Sequence, residues 1–137
     1  MNYWLLKSEP DVYSFAQLLK DKQTHWNGVR NYQAANNLKA MVKNDLAFFY
    51  HSNVGKEIVG ICKIVKTAYP DPSDESGKFV MVDVAPMKLL KNPVTLIDIK
   101  ADKNLQSIAL IKQSRLSVMP ITADEWNVVM RLSGTTL

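Results

Sequence analysis

The chain has 137 residues, 47% of them hydrophobic and 22% charged, which bounds it to one globular domain spanning 1–137 with enough apolar residues for a sizeable core. No run approaches the roughly 18 apolar residues of a membrane-spanning helix, and "MNYWLLKSEP" lacks the basic start and apolar segment of a secretory signal. The default expectation is therefore a cytoplasmic monomer. One cysteine and two histidines exclude an internal disulfide and a cysteine-based zinc site, while a net charge of +4 permits an anionic partner without demanding one.

In chain order, "YWLLKSEP" predicts a first strand that stops before Pro10, because a residue preceding proline favours extended backbone. "SFAQLLKD" begins with a capping-box pattern, Ser14 to Gln17, and predicts a short helix. A second helix is expected through "YQAANNLKAM", with Ala34, Leu38 and Met41 forming one buried stripe. "DLAFFYHS" and "EIVGICKIVKTAY" predict two strands joined by a hairpin at "NVGK". "YPDPSDESGK" is a loop, and "FVMVDV" resumes strand character with Val80, Val82 and Val84 on one face. Thr95–Asp98 and Thr122–Glu125 predict two more capped helices, with "RLSVMPI" as a final strand between them. Strands outnumber crossover helices, so the predicted class is α+β, a mixed or mostly antiparallel sheet curling into a small barrel with helices around it.

Four polar islands interrupt these apolar runs: "KSEP" at 7–10, "HWNGVRNYQ" at 25–33, "YHSN" at 50–53 and "QSRLS" at 113–117. Fourteen of the 17 basic residues are lysines spread along the chain, whereas two of the three arginines, Arg30 and Arg115, fall inside the islands. Arginine carries a planar fork suited to phosphate or a base edge. Trp26, beside the Asn27–Gly28 turn, sets a flat ring among amides, as a pocket wall requires; Trp4 and Trp126 fall on apolar faces and are assigned to the core. Cys62, inside "EIVGICKIV", is expected to be a buried, inert thiol.

The islands hold no nucleophile elbow, glycine-rich phosphate loop or metal-ligand spacing. A binding pocket needs only shape, aromatic walls and hydrogen-bonding groups, which they supply. Two rival readings stay open: a small hydrolase or RNA-processing enzyme using Glu9 and His51, and a small-molecule or nucleotide sensor.

"YWLLKSEPDVYSF", "W-G-VRNYQA-N", "FFYHSN", "IVGI", "AYPDP", "MVDV", "PVTL" and "RLSV-P-T-EW" together resemble the EVE domain, a member of the PUA-like superfamily, from residue 3 to about residue 132. The resemblance implies a PUA-like barrel of about six strands flanked by helices. It also implies a non-enzymatic reader of a modified base in DNA or RNA, similar in plan to YTH domains, with the base turned out between aromatic walls. That comparison puts Trp26 at one wall and "KSEP" and "HSN" at the base edge. With the polar islands added, the expected base-facing set is Lys7, Ser8, Glu9, Trp26, Asn31, Tyr32, Gln33, His51, Ser52, Asn53 and Phe79. Arg30, Arg115 and Ser117 would meet phosphate, with Lys7 able to serve the backbone as well. No cofactor or metal is called for. The chain departs from the family pattern at Ala35, where many members carry arginine, and in a short loop that ends in Phe79 where tryptophan is usual.

Overall fold

A computed structural model describes all 137 residues. Six strands and five helices alternate irregularly: β1 (Tyr3–Ser8), α1 (Phe15–Asp21), β2 (Thr24–Trp26), α2 (Tyr32–Ala40), β3 (Leu46–His51), β4 (Glu57–Pro70), β5 (Val80–Thr95), α3 (Leu96–Ala101), α4 (Ala109–Lys112), β6 (Val118–Ile121) and α5 (Ala123–Ser133). The strands form one mixed sheet in the order β2-β5-β4-β3-β1-β6, in which only β1 and β3 run parallel. The α+β class predicted from the sequence is met. No helix is long and apolar enough to cross a membrane.

The expected barrel is not closed. β2 pairs only with β5 and β6 only with β1, so no ladder joins the two outer strands. Both are short, three and four residues, and α2 packs against β6 on one side and β5 and β4 on the other. The helix thus bridges the gap that a sixth ladder, between β2 and β6, would have sealed. Asn37 Nδ2 fastens it to β6 by donating to the Val118 carbonyl at 2.7 Å.

β5 is much longer than "FVMVDV" predicts, running 16 residues through Pro86 and Pro93. Proline is tolerated in a strand where its missing N–H faces no partner. β2 covers only Val82–Val84, so beyond that point β5 is a sheet edge and both prolines fit. The β4–β5 ladder slips register at several places, and such bulges bend and coil a long hairpin. β2 itself and the single turn of α4 have no counterpart among the predicted elements.

The core follows the strand chemistry. Trp4, Leu5 and Leu6 of β1 and Leu46 to Tyr50 of β3 are all buried, as a parallel pair covered on both faces demands. Trp126 of α5 stacks on Phe48 at 3.9 Å and on Tyr3 at 4.4 Å, fastening the last helix to β3 and β1. Trp4 Nε1 donates to Asp45 Oδ2 at 3.0 Å, and that buried carboxylate also accepts from the Asn2 and Val42 N–H groups. Ala34, Leu38 and Met41 form the buried stripe expected of α2. Thr95 and Thr122 each complete a capping box at α3 and α5. Ser14 caps α1 through the Gln17 N–H, but the Gln17 side chain turns instead to Asp21.

Candidate functional site

Where β2 and β6 fail to meet, the molecule carries a cavity of about 540 Å³. Its lining comes from the end of β1 (Lys7, Ser8, Glu9), from β2 and the loop into α2 (Thr24 to Asn31), from Val12 and Tyr13, and from Ser117 before β6. Pockets that hold small organic ligands span roughly 300–1,000 Å³. This one is of that kind.

The sequence of the 26–31 segment explains its shape. Trp26 ends β2 as an inward residue: its indole meets the Phe49 ring edge-on at 5.4 Å, and it also lines the cavity. Gly28 then turns the chain with φ +81, a left-handed conformation that a side chain at this position would strain. Its N–H donates to Asp71 Oδ2 at 2.8 Å. Arg30 donates to the same oxygen at 3.2 Å and to Ser73 Oγ at 2.9 Å, with its guanidinium 5.5 Å from the Phe79 ring centre. Asp71 is buried, which works to raise its pKa; hydrogen bonds from the Ser73 hydroxyl, the Gly28 and Ser73 N–H groups and Arg30 outweigh this and bring it down to about 2. A buried carboxylate in the 71–79 loop therefore holds the cavity's loop in place.

Asn31 is the N-cap of α2. Its Oδ1 accepts from the Ala34 N–H at 2.9 Å, which leaves the two Nδ2 hydrogens free on a residue that lines the cavity. Ser8 spends its hydroxyl hydrogen on the Tyr13 carbonyl at 2.5 Å and keeps acceptor capacity. Lys7 Nζ donates to the Ser114 carbonyl at 2.7 Å, and burial pulls its pKa down. Glu9 lines the cavity and accepts from Asn53 Nδ2. On β2, His25 Nδ1 lies 2.8 Å from Asp83 Oδ1, and the Tyr69 hydroxyl donates to that oxygen at 2.5 Å. Burial and the Asp83 contact push the Tyr69 hydroxyl up to about 12.

Seven residues of the sequence-derived set thus line one cavity: Lys7, Ser8, Glu9, Trp26, Arg30, Asn31 and Ser117. The others lie elsewhere. His51 Nε2 accepts from the Phe15 N–H at 3.1 Å and serves the first turn of α1. Ser52 donates its backbone N–H to the Ser8 carbonyl at 2.9 Å, and Asn53 braces Glu9. Phe79 is buried and packs on the exposed Tyr32 at 5.1 Å; neither borders the cavity. Gln33 and Arg115 line a second, shallower depression of about 370 Å³ together with Asn31, Lys112, Gln113, Ser114 and Leu116. Thr24, His25, Asn27, Gly28 and Val29 were missed as lining residues, although the Asn27–Gly28 turn beside Trp26 marked their segment. Asp71 was missed because its role depends on a contact 43 residues away in sequence.

Chemically the cavity offers a flat aromatic wall, amides, hydroxyls and a carboxylate. The histidine of the enzyme reading spends its free lone pair on a backbone N–H, away from the cavity. Cys62 is fully buried, and burial pushes its thiol up to about 12, as expected of an inert core cysteine.

Mouse (Mus musculus) thymocyte nuclear protein 1 is 39% identical over 98% of this chain and 74% of its own length. The solution structure of Rpa0253 from Rhodopseudomonas palustris is 52% identical and superposes with a TM-score of 0.93, covering 98% of this chain and 94% of that one. The crystal structure of human THYN1 in complex with DNA containing 5-methylcytosine is 35% identical, with a TM-score of 0.90 and all of both chains covered. The model of the EVE domain matches residues 2–132. This chain belongs to the EVE domain family.

Proposed function

We propose that the chain is a non-enzymatic DNA-binding domain that takes one modified base, turned out of its stack, into the cavity beside Trp26. The observation that carries this reading is the cavity itself: one indole wall, free donors on Asn31, and acceptors on Ser8 and Glu9 around a volume of about 540 Å³. The full-length likeness to human THYN1, crystallised with 5-methylcytosine-containing DNA, makes 5-methylcytosine the first base to test. A cytosine edge carries an exocyclic amino donor beside the ring's carbonyl and imine acceptors. Ser8 and Glu9 suit the amino group, and Asn31 Nδ2 suits the acceptors. We also assign the chain to the PUA-like superfamily, on its unclosed mixed sheet with α2 packed against β6, β5 and β4.

The test is a titration of matched oligonucleotides with and without a single 5-methylcytosine, using the wild-type chain and Trp26→Leu. Base–aromatic stacking is worth roughly 1–3 kcal/mol, so the variant should lose about tenfold to a hundredfold in affinity for the modified strand. Leucine keeps part of the apolar volume against Phe49, and a melting curve checks that the variant is folded. Equal wild-type affinity for modified and unmodified strands would overturn the reading.

A further inference from the structure

We propose that the second depression, at the turn after α4, is a phosphodiester-binding site, with Arg115 and Lys112 as its cations and the Gln33 and Gln113 amides as supporting donors. The inference rests on the nucleic-acid reading above and assigns the backbone contact to residues outside the base cavity.

Three observations carry it. First, the two hollows are neighbours: Asn31 lines both, and Lys7, in the wall of the cavity, donates to the Ser114 carbonyl in the wall of the depression. Ser117 lines the cavity two residues after Arg115. A strand whose base enters the cavity must pass its sugar–phosphate chain over an adjoining surface, and this is one.

Second, the cations there are unspent. The molecule has two ion pairs, His25–Asp83 and Arg30–Asp71, and neither Lys112 nor Arg115 takes part in them. Both side chains are exposed, and neither donates a side-chain hydrogen bond within the protein. Arg30, the other arginine in the polar islands, is in the opposite condition. Its fork is occupied by Asp71, Ser73 and its own Val29 carbonyl, so a phosphate would have to displace a buried carboxylate's partner. Lys7 is likewise held by the Ser114 carbonyl.

Third, the lining chemistry suits a phosphodiester. Its side chains carry a guanidinium, an ammonium, three amides and a hydroxyl, and no carboxylate. Arginine's fork matches two phosphate oxygens, and amide donors fill the remaining lone pairs.

The experiment measures the salt dependence of binding to single-stranded oligonucleotides with and without one 5-methylcytosine. It compares wild type, Lys112→Ala/Arg115→Ala and Arg30→Ala. Each neutralised phosphate contributes roughly 0.7 to the slope of log affinity against log salt on a single strand. The double variant should weaken both strands by similar factors, flatten the slope by about one to two such increments, and leave the ratio between modified and unmodified strands intact. Arg30→Ala should keep the wild-type slope and melt at a lower temperature. An unchanged slope in the double variant, or a flattened slope in Arg30→Ala, overturns the assignment. A wild-type ratio of one between the strands overturns the base reading instead, and the slopes still judge the phosphate site on the unmodified strand. Both replaced side chains are exposed, so the double variant keeps its core.

Discussion

Asn31 does two jobs with one amide, and they separate by substitution. Its oxygen caps α2, and its nitrogen is free beside the cavity. Asn31→Ala should lose both, with about 1 kcal/mol of stability gone with the cap. Asn31→Asp should keep the cap, since a carboxylate accepts the Ala34 N–H equally well, and lose the donor. It also adds an anion to the rim of the second depression, which weakens modified and unmodified strands alike, so base reading is judged by the ratio between them. The expected outcome is a wild-type melting temperature in Asn31→Asp alongside a reduced preference for the modified strand. An unreduced preference would remove Asn31 from base recognition. His51 gives a second test at this scale. Burial lowers its pKa against the smaller, opposite pull of Glu57, and its Nε2 must be unprotonated to accept from Phe15. A histidine whose folded pKa is depressed contributes its full stability above the unfolded value of about 6.5, and loses it as pH falls below that. Melting temperature should therefore drop between about pH 7 and pH 5, and His51→Gln should flatten that drop. Equal pH dependence in the two proteins would show that the Phe15 contact is not what titrates.

Among the elements, α1 depends on a residue it does not contain. Gly60 lies at a bulge in β4, and a Cβ built there would stand 2.4 Å from Phe15 Cζ. The Phe15 ring fills that space and meets Phe49 edge-on at 5.3 Å, so the missing side chain is what lets α1 dock. Overpacking of this kind costs typically about 1–3 kcal/mol. Gly60→Ala should lower the melting temperature, and pairing it with Phe15→Leu should restore part of the loss, because the smaller side chain vacates the clash. A double variant no more stable than the sum of the single losses would mean that the two residues act independently. The sequence showed α1, α2 and the hairpin of β3 and β4 through local signals: caps, a helical stripe and a Gly-containing turn. It did not show β2 or the far half of β5. A three-residue strand carries too little pattern, and Pro86 and Pro93 argue against a strand unless the shortness of β2 is already known. The site was legible to the same degree. "KSEP" and "HWNGVRN" are local runs that line the cavity, whereas "HSN" is drawn off to brace α1, Ser8 and Glu9. Nothing local distinguishes those two outcomes.

At the scale of the whole molecule, the cavity exists because an unclosed sheet is bridged by one helix. α2 brings the 27–31 loop at its N-terminus to the end of β1 and to Ser117, and its grip on β6 includes the Asn37–Val118 bond. Asn37→Ala removes that donor and leaves the carbonyl of a fully buried residue without it; an unpaired buried acceptor costs about 1–3 kcal/mol. β3 and β4 lie in the middle of the sheet, each paired on both sides, and have no part in this contact. The loss should therefore be local. Amide hydrogen exchange should quicken in α2 and at residues 116–121 while β3 and β4 keep their protection. Affinity for a modified strand should fall as well, although Asn37 does not line the cavity, because the wall formed by Trp26 to Asn31 would no longer be held against Ser117. Lys112 ends α4 and Arg115 lies in the turn after it, before the 116–121 segment expected to loosen, so the salt slope should remain that of the wild type. Exchange that quickens evenly through all six strands would show that the sheet opens as one unit. Unchanged affinity with faster exchange in α2 would show that the cavity does not need the bridge.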